Sequence, residues 1–277
     1  MTVSEADAGM TARELRADVP ALGEAAYFNF GAHGPSPEYV VDAASEFLAD
    51  HEYRSATTDP YTRAFETYET VRERIAAFVR DSVSSAGADG VVVNMSGGLD
   101  STVTAAVAVE ALGPDRVYGL ILPCNKLGAH HARDAEGLAE ALGIEFDTAH
   151  LQPLLAQFGS VAPDRFTLHD EPTLVGNAVA RLRMSMAYLA ANATNRLVCG
   201  TTNRSERLLG YLTKHGDGAA DLLPLGHLYK TDVRALAAAL DVPEFVVEKP
   251  PTAGVLAGQR DADDLGADYE TIDPVLR

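Results

Sequence analysis

The stretch Gly90-Val91-Val92-Val93-Asn94-Met95-Ser96-Gly97-Gly98-Leu99-Asp100-Ser101, followed by Thr102-Val103-Thr104-Ala105-Ala106-Val107-Ala108-Val109-Glu110-Ala111-Leu112, decides the fold of this 277-residue chain. The β-branched run reads as a buried parallel strand, the two glycines as a tight turn, and the Ala-rich segment as a packed helix. Gly97 and Gly98 allow the backbone to come close to a ligand, and the N–H groups opening a helix attract an anion. Ser96 and Ser101 add hydroxyl donors. Asp100 puts a carboxylate where a phosphate would sit, which makes chemical sense when a divalent cation lies between the two. The G-x-x-x-x-G-K-[ST] spacing of the other common phosphate loop, with its lysine, is absent.

Outward from this unit the same alternation repeats. Upstream, Val71, Ile75, Phe78 and Val79 form a helical stripe from Tyr68 onward. Downstream come a strand over Val117–Leu122, a helix over Ala129–Leu142 and a third strand over Ile144–His150. A long helix over Gly176–Thr194 and a strand over Leu197–Thr201 follow. Strands alternating with helices predict a parallel α/β sheet, whose strand C-termini border one crevice. Thr202-Asn203-Arg204-Ser205-Glu206 opens a helix at such an end, so Glu206 is placed to add a second carboxylate to the cation held by Asp100. Arg181 and Arg183 are two apart and cannot share a helix face, which leaves one for a structural carboxylate and the other for a ligand. His130 and His131 lack partners at metal spacing and read as surface residues or substrate contacts.

The formal net charge of −18 and pI near 4.7 disfavour nucleic acid as a partner. Four of the 22 basic residues are lysines, namely Lys126, Lys214, Lys230 and Lys249. An acidic, lysine-poor surface suggests the cytoplasm of a halophile. Cys124 and Cys199 stand alone, so neither zinc nor a disulfide framework is indicated. No targeting segment and no run of eighteen apolar residues is visible, so the expectation is a soluble cytoplasmic protein without membrane contact.

Ser96–Ser101 resembles the pyrophosphate loop of the N-type ATP pyrophosphatases. With it occur, in order, Gly200–Glu206, Gly210–Asp221, Leu223–Thr231 and Glu248–Gly254. Together these motifs resemble the NAD synthetase family, over about Tyr68 to Arg277. The resemblance implies an α/β fold: a Rossmann-like parallel sheet with helices on both faces, of the adenine nucleotide alpha-hydrolase type. It implies ATP phosphates on Ser96, Gly97, Gly98, Leu99, Asp100 and Ser101, with Thr201, Lys230 and Thr252 completing the nucleotide site. It further implies Mg²⁺ on Asp100 and Glu206, and deamido-NAD on Arg181, Lys214 and Asp221. Catalysis would fall to Asp100, Lys230 and Lys214, with ammonia as nitrogen donor and a homodimer as the assembly.

Residues 1–67 read differently, as a short helical N-terminal appendage that is either a graft or fusion remnant or a divergent native helical region. Tyr27–Pro37 and a helix over Tyr39–His51 resemble the N-terminal segment of class V, PLP-dependent aminotransferases. A Schiff-base lysine is nevertheless absent from residues 1–125, so that activity is not expected. Residues 68–277 are expected to form the synthetase-like domain, shortened at its C-terminus relative to the family, where a basic His-Lys pair normally contacts deamido-NAD. Two other readings accompany the synthetase: a non-catalytic nucleotide-binding remnant, and another N-type ATP pyrophosphatase amidotransferase such as a GMP synthetase relative.

Overall fold

In the computed structural model the described residues are 60–277, without 125, 164, 167, 169, 170 and 253–258; side chains are described from 68 on, without 126, 127 and 129. The aminotransferase-like segment and the helix expected over Tyr39–His51 lie outside the described residues. The chain runs α1 (Pro60–Ala86), β1 (Gly90–Asn94), α2 (Leu99–Leu112), a 3₁₀ turn (Pro114–Arg116), β2 (Val117–Ile121), α3 (Lys126–Leu142), β3 (Glu145–Thr148) and α4 (Gln152–Val161). It continues with α5 (Pro172–Ala193), β4 (Arg196–Cys199), α6 (Arg204–Leu209), α7 (Lys230–Ala239), α8 (Glu244–Val247), α9 (Asp261–Leu265) and α10 (Tyr269–Leu276).

The four strands are all parallel, in the order β3-β2-β1-β4. β1 is central: Val91 pairs with Val117 of β2 on one side and with Leu197 of β4 on the other. Successive strand side chains point to opposite faces, and β1 uses both. Val91 and Val93 enter a core with Ile75, Val79 and Val83 of α1, Val103 and Val107 of α2, and Leu236 of α7. Val92 enters a second core with Leu155 of α4 and Met184, Ala187 and Ala191 of α5. Helices therefore cover both faces of the sheet, as the sequence suggests.

The helix behind the glycine turn is apolar on nearly every side. In α2 ten residues are buried, including the unbroken run Ser101–Ala108. A helix apolar all round is a buried one. The strands are shorter than expected: β3 spans Glu145–Thr148 rather than Ile144–His150, and β4 ends at Cys199. β4 stops because the chain turns at Gly200, where Leu222 forms an isolated bridge to Cys199 and the Gly200 N–H donates to Leu222 O. The long helix starts at Pro172, four residues before Gly176, with proline in its first turn.

One buried carboxylate binds the C-terminal elements together. Asp273 of α10, fully buried, accepts from Ser205 Oγ (2.5 Å), Thr231 N (2.9 Å) and Thr231 Oγ1 (2.8 Å), while Lys230 N donates to Ser205 Oγ (2.9 Å). The starts of α6 and α7 are thereby fixed against each other. No helix among the described residues is long and apolar enough to cross a membrane.

Candidate active site

β1 feeds β2 and β3 on one side, and the chain then returns to the other side as β4. Strand order thus reverses between β1 and β4, and ligands of open α/β sheets bind beyond the strand C-termini at that reversal. The Ser96–Ser101 loop leaves β1 there and Gly200–Glu206 leaves β4. A cavity of about 810 Å³ opens between them.

The loop is organised by its own hydroxyls. Ser96 N donates to Ser101 Oγ (3.2 Å), the two serine hydroxyls are 3.1 Å apart, and Thr102 Oγ1 donates to Gly98 O (2.8 Å). Gly97 has φ +72°, and a Cβ there would lie 2.6 Å from His131 O, so a side chain is excluded on both counts. Gly98 is the N-cap of α2 and offers no side-chain cap, leaving the N–H groups of the first turn to a ligand.

Across the cavity Asn203 caps the six-residue helix α6. Its Oδ1 accepts from Glu206 N (3.0 Å), and Glu206 Oε2 accepts from Asn203 N (3.1 Å), a reciprocal capping box. The free amide of Asn203 donates to Asp100 Oδ1 (2.9 Å). One fully buried side chain therefore links both carboxylates assigned to the cation. The Lys230 ammonium, from the first residue of α7, bridges the same pair, contacting Asp100 Oδ2 and, at 3.3 Å, Glu206 Oε1. Burial would lower the Lys230 pKa, but Asp100 and Glu206 outweigh it and hold the ammonium charged. Burial pushes the Glu206 carboxyl up to about 7 against the opposing pull of Lys230.

A third carboxylate lies nearby. Asp261 of α9, buried, accepts from Tyr269 OH (3.1 Å) and Tyr211 OH (3.3 Å); burial raises its pKa and Lys230 opposes the rise. The Tyr269 ring lies 5.4 Å from the Lys230 ammonium, within cation–π range.

The sequence-assigned nucleotide residues converge here: Ser96, Gly98, Leu99, Asp100, Ser101, Thr201, Glu206, Lys230 and Thr252 line the cavity, and Gly97 lies in the same loop. Arg181, Lys214 and Asp221 are exposed and lie outside its lining. Arg181 Nε donates to Lys214 O (3.1 Å), while Asp221 accepts from Val198 N (2.7 Å) and Tyr188 OH (3.2 Å). The arginine on the cavity wall is Arg183, whose Nε donates to Leu122 O (3.2 Å). Among the described residues neither arginine is within ion-pair distance of a carboxylate, and the carboxylate whose charge acts on Arg183 is that of Asp217. His131 lines the cavity, and its pKa is lowered by burial and by Lys249. Cys124 and Cys199 are buried free thiols.

Sequence reasoning missed Asn203, Asp261 and Lys249. The Asn-x-x-Glu spacing of a capping box was available for Asn203. Lys249 stands inside the quoted Glu248–Gly254 motif but receives no role there, and no local pattern marks Asp261; the partners of both are distant in sequence.

Comparison with known proteins shows the family and the fold. Residues 71–277 match the family model described as NAD synthase. The chain is 46% identical over 210 residues to an NH(3)-dependent NAD(+) synthetase of Methanosarcina mazei, covering 76% of this chain and 81% of that protein. It is 47% identical over 205 residues to the protein of that description from Halobacterium salinarum, covering 74% and 75%. Among solved structures, an NMN synthetase from Francisella tularensis superposes with a TM-score of 0.71 at 40% identity, covering 76% of this chain and 85% of that one. An NH3-dependent NAD synthetase from Campylobacter jejuni, in complex with nitrate, gives 0.60 at 34% identity, covering 66% and 77%.

Proposed function

The chain belongs to the NAD synthase family and carries out ammonia-dependent NAD synthesis, a C–N ligation, and on that premise we propose how its residues divide the work. The observation that carries the proposal is the meeting of the Ser96–Ser101 loop with the Asp100–Lys230–Glu206 cluster at the β1/β4 reversal. The loop takes the phosphates of ATP, and Thr201, Lys230 and Thr252 complete the nucleotide site. Asp100 and Glu206 are the residues that would hold Mg²⁺. Two carboxylates close enough to share one ammonium suit a hard cation whose remaining ligands are phosphate oxygens and water. Among the described residues no group of three or more His, Cys, Asp or Glu is placed as a fuller metal site. Such a cation, when bound, neutralises phosphate charge.

The nicotinate carboxylate of deamido-NAD attacks the α-phosphorus of ATP, a P–O bond forms, and pyrophosphate leaves. Ammonia then attacks the activated acyl carbon, forming the C–N bond and expelling AMP. The chain needs no covalent nucleophile. Its contribution is orientation and charge stabilisation by the α2 N–H groups and the Lys230 ammonium. Arg181, Lys214 and Asp221 receive the acceptor. All three are exposed, and α4 and α5 also expose Leu154, Phe158, Val161, Leu174 and Leu189. This supports an acceptor site completed by a second copy of the chain in a homodimer.

The test is NAD formation from deamido-NAD, ATP, Mg²⁺ and ammonium in concentrated KCl, a salt chosen for the acidic, lysine-poor composition. One parallel arm replaces ammonium with glutamine. A second replaces deamido-NAD with nicotinate mononucleotide, because the Francisella tularensis structure is described as an NMN synthetase. A third uses xanthosine monophosphate. Ammonium-dependent NAD with equimolar AMP is expected. ATP binding without NAD in any amount would overturn the proposal in favour of a nucleotide-binding remnant.

A further inference from the structure

Lys249 has no part in the assignments above, yet it reaches the centre of the site. It follows α8, and its ammonium donates to Gly97 O (3.0 Å) and Asp134 Oδ2 (2.8 Å). Gly97 is 152 residues away and Asp134 is 115 away, so three separate parts of the chain meet on one nitrogen. They are the phosphate loop, helix α3, and the segment that carries Thr252 to the cavity wall.

The geometry at Gly97 gives this contact a consequence. In a planar trans peptide the C=O and the following N–H point in opposite directions. Gly97 O is turned onto Lys249, so Gly98 N–H points the opposite way, toward Ser96 Oγ (3.3 Å) within the loop. With φ at +72°, Gly97 has access to backbone conformations closed to other residues. Nothing in its own side chain opposes a flip of the Gly97–Gly98 peptide. A flipped peptide would present a carbonyl oxygen to the phosphate in place of an N–H. An ammonium held on Gly97 O opposes that flip, and a charge-assisted hydrogen bond is stronger than a neutral one. Asp134 in turn holds the ammonium in place.

We propose that Lys249 is a positioning residue for the nucleotide phosphates, keeping the Gly97–Gly98 peptide oriented with its N–H toward the anion and clasping the Thr252 segment to α3 through Asp134. The inference rests on the reading of Ser96–Ser101 as the ATP loop. It assigns Lys249 to ATP alone, since the acceptor residues Arg181, Lys214 and Asp221 lie outside this cluster.

The experiment compares wild type with Lys249→Met, Lys249→Arg, Asp134→Asn and the Lys249→Met/Asp134→Asn double variant. It reads KM for MgATP, KM for deamido-NAD, and calorimetric binding of an α,β-methylene ATP analogue with Mg²⁺. Lys249→Met is expected to weaken analogue binding and raise KM for MgATP about tenfold or more, the scale of one charge-assisted bond, leaving KM for deamido-NAD unchanged. Lys249→Arg should recover most of the loss. Asp134→Asn should give a smaller effect in the same direction, and the double variant should be no worse than Lys249→Met, because both act through one contact. Unchanged MgATP parameters in Lys249→Met, equal loss for both substrates, or full additivity in the double variant would each overturn the inference. If Lys249→Met does not fold, Asp134→Asn and Lys249→Arg decide, and wild-type ATP binding in Asp134→Asn counts against it. A wild type that binds the analogue but makes no NAD refutes the proposed function instead, and the effect of Lys249 on analogue binding remains readable.

Discussion

Replacing Asn203 with alanine tests how the two carboxylates of the site are held. The side chain is fully buried and has two tasks: its oxygen caps α6 through Glu206 N at 3.0 Å, and its amide donates to Asp100 Oδ1 at 2.9 Å. Loss of an asparagine cap costs about 1 kcal/mol. Loss of a hydrogen bond to a charged group costs about 1.5–3 kcal/mol. Asn203→Ala should therefore destabilise the protein by about 2.5–4 kcal/mol, read from urea denaturation followed by circular dichroism at fixed salt. Asn203→Asp separates the two tasks. Aspartate caps a helix as well as asparagine does, but sets a carboxylate against Asp100. It should lose NAD formation more severely than its stability suggests. If Asn203→Ala costs less than about 0.5 kcal/mol, the range of an ordinary surface change, or if Asn203→Asp keeps full activity, the tethering argument is wrong.

Other expected outcomes follow from the same contacts. Gly97→Ala, at φ +72° with His131 O in the way, should lose MgATP binding by more than tenfold in calorimetry. Asp273→Ala leaves Ser205 and Thr231 without their buried acceptor and should cost about 2–4 kcal/mol in chemical denaturation. Glu206, whose pKa is raised in the folded state to about 7 by burial, binds its proton more tightly folded than unfolded. Its contribution to metal-free stability is therefore lost as pH rises from about 4.5 to about 7, and Glu206→Gln should flatten that part of a stability–pH curve.

The parts of the fold legible in the sequence were those written in short-range pattern. Val91–Val93 announces a strand buried on both faces, and the two cores around it are the physical meaning of that run. Gly97-Gly98 announces the turn, and the alternation of strands with helices announces the parallel sheet. The end of β4 was less legible, because Cys199 stops pairing where Leu222 arrives from a later loop. The choice between Arg181 and Arg183 could not be made from spacing, since it depends on where Leu122 O lies. Asp261 and the contacts of Lys249 were not legible for a related reason. Each acts on partners brought close only by the completed fold, and helical or strand periodicity carries no information about them.

The apolar surroundings of α2 set the mechanical character of the whole site. A helix with ten buried residues has no loosely held face, so its amides should exchange with solvent only when the entire unit unfolds. The helix across the cavity, α6, has six residues and depends on a capping side chain for its first turn. Its amides should exchange through local opening, at lower free energy. The site is therefore built as a stiff wall facing a compliant one. On the proposed reading of Ser96–Ser101, tightening around a nucleotide should fall to the compliant wall, with the loop ahead of α2 as the fixed reference.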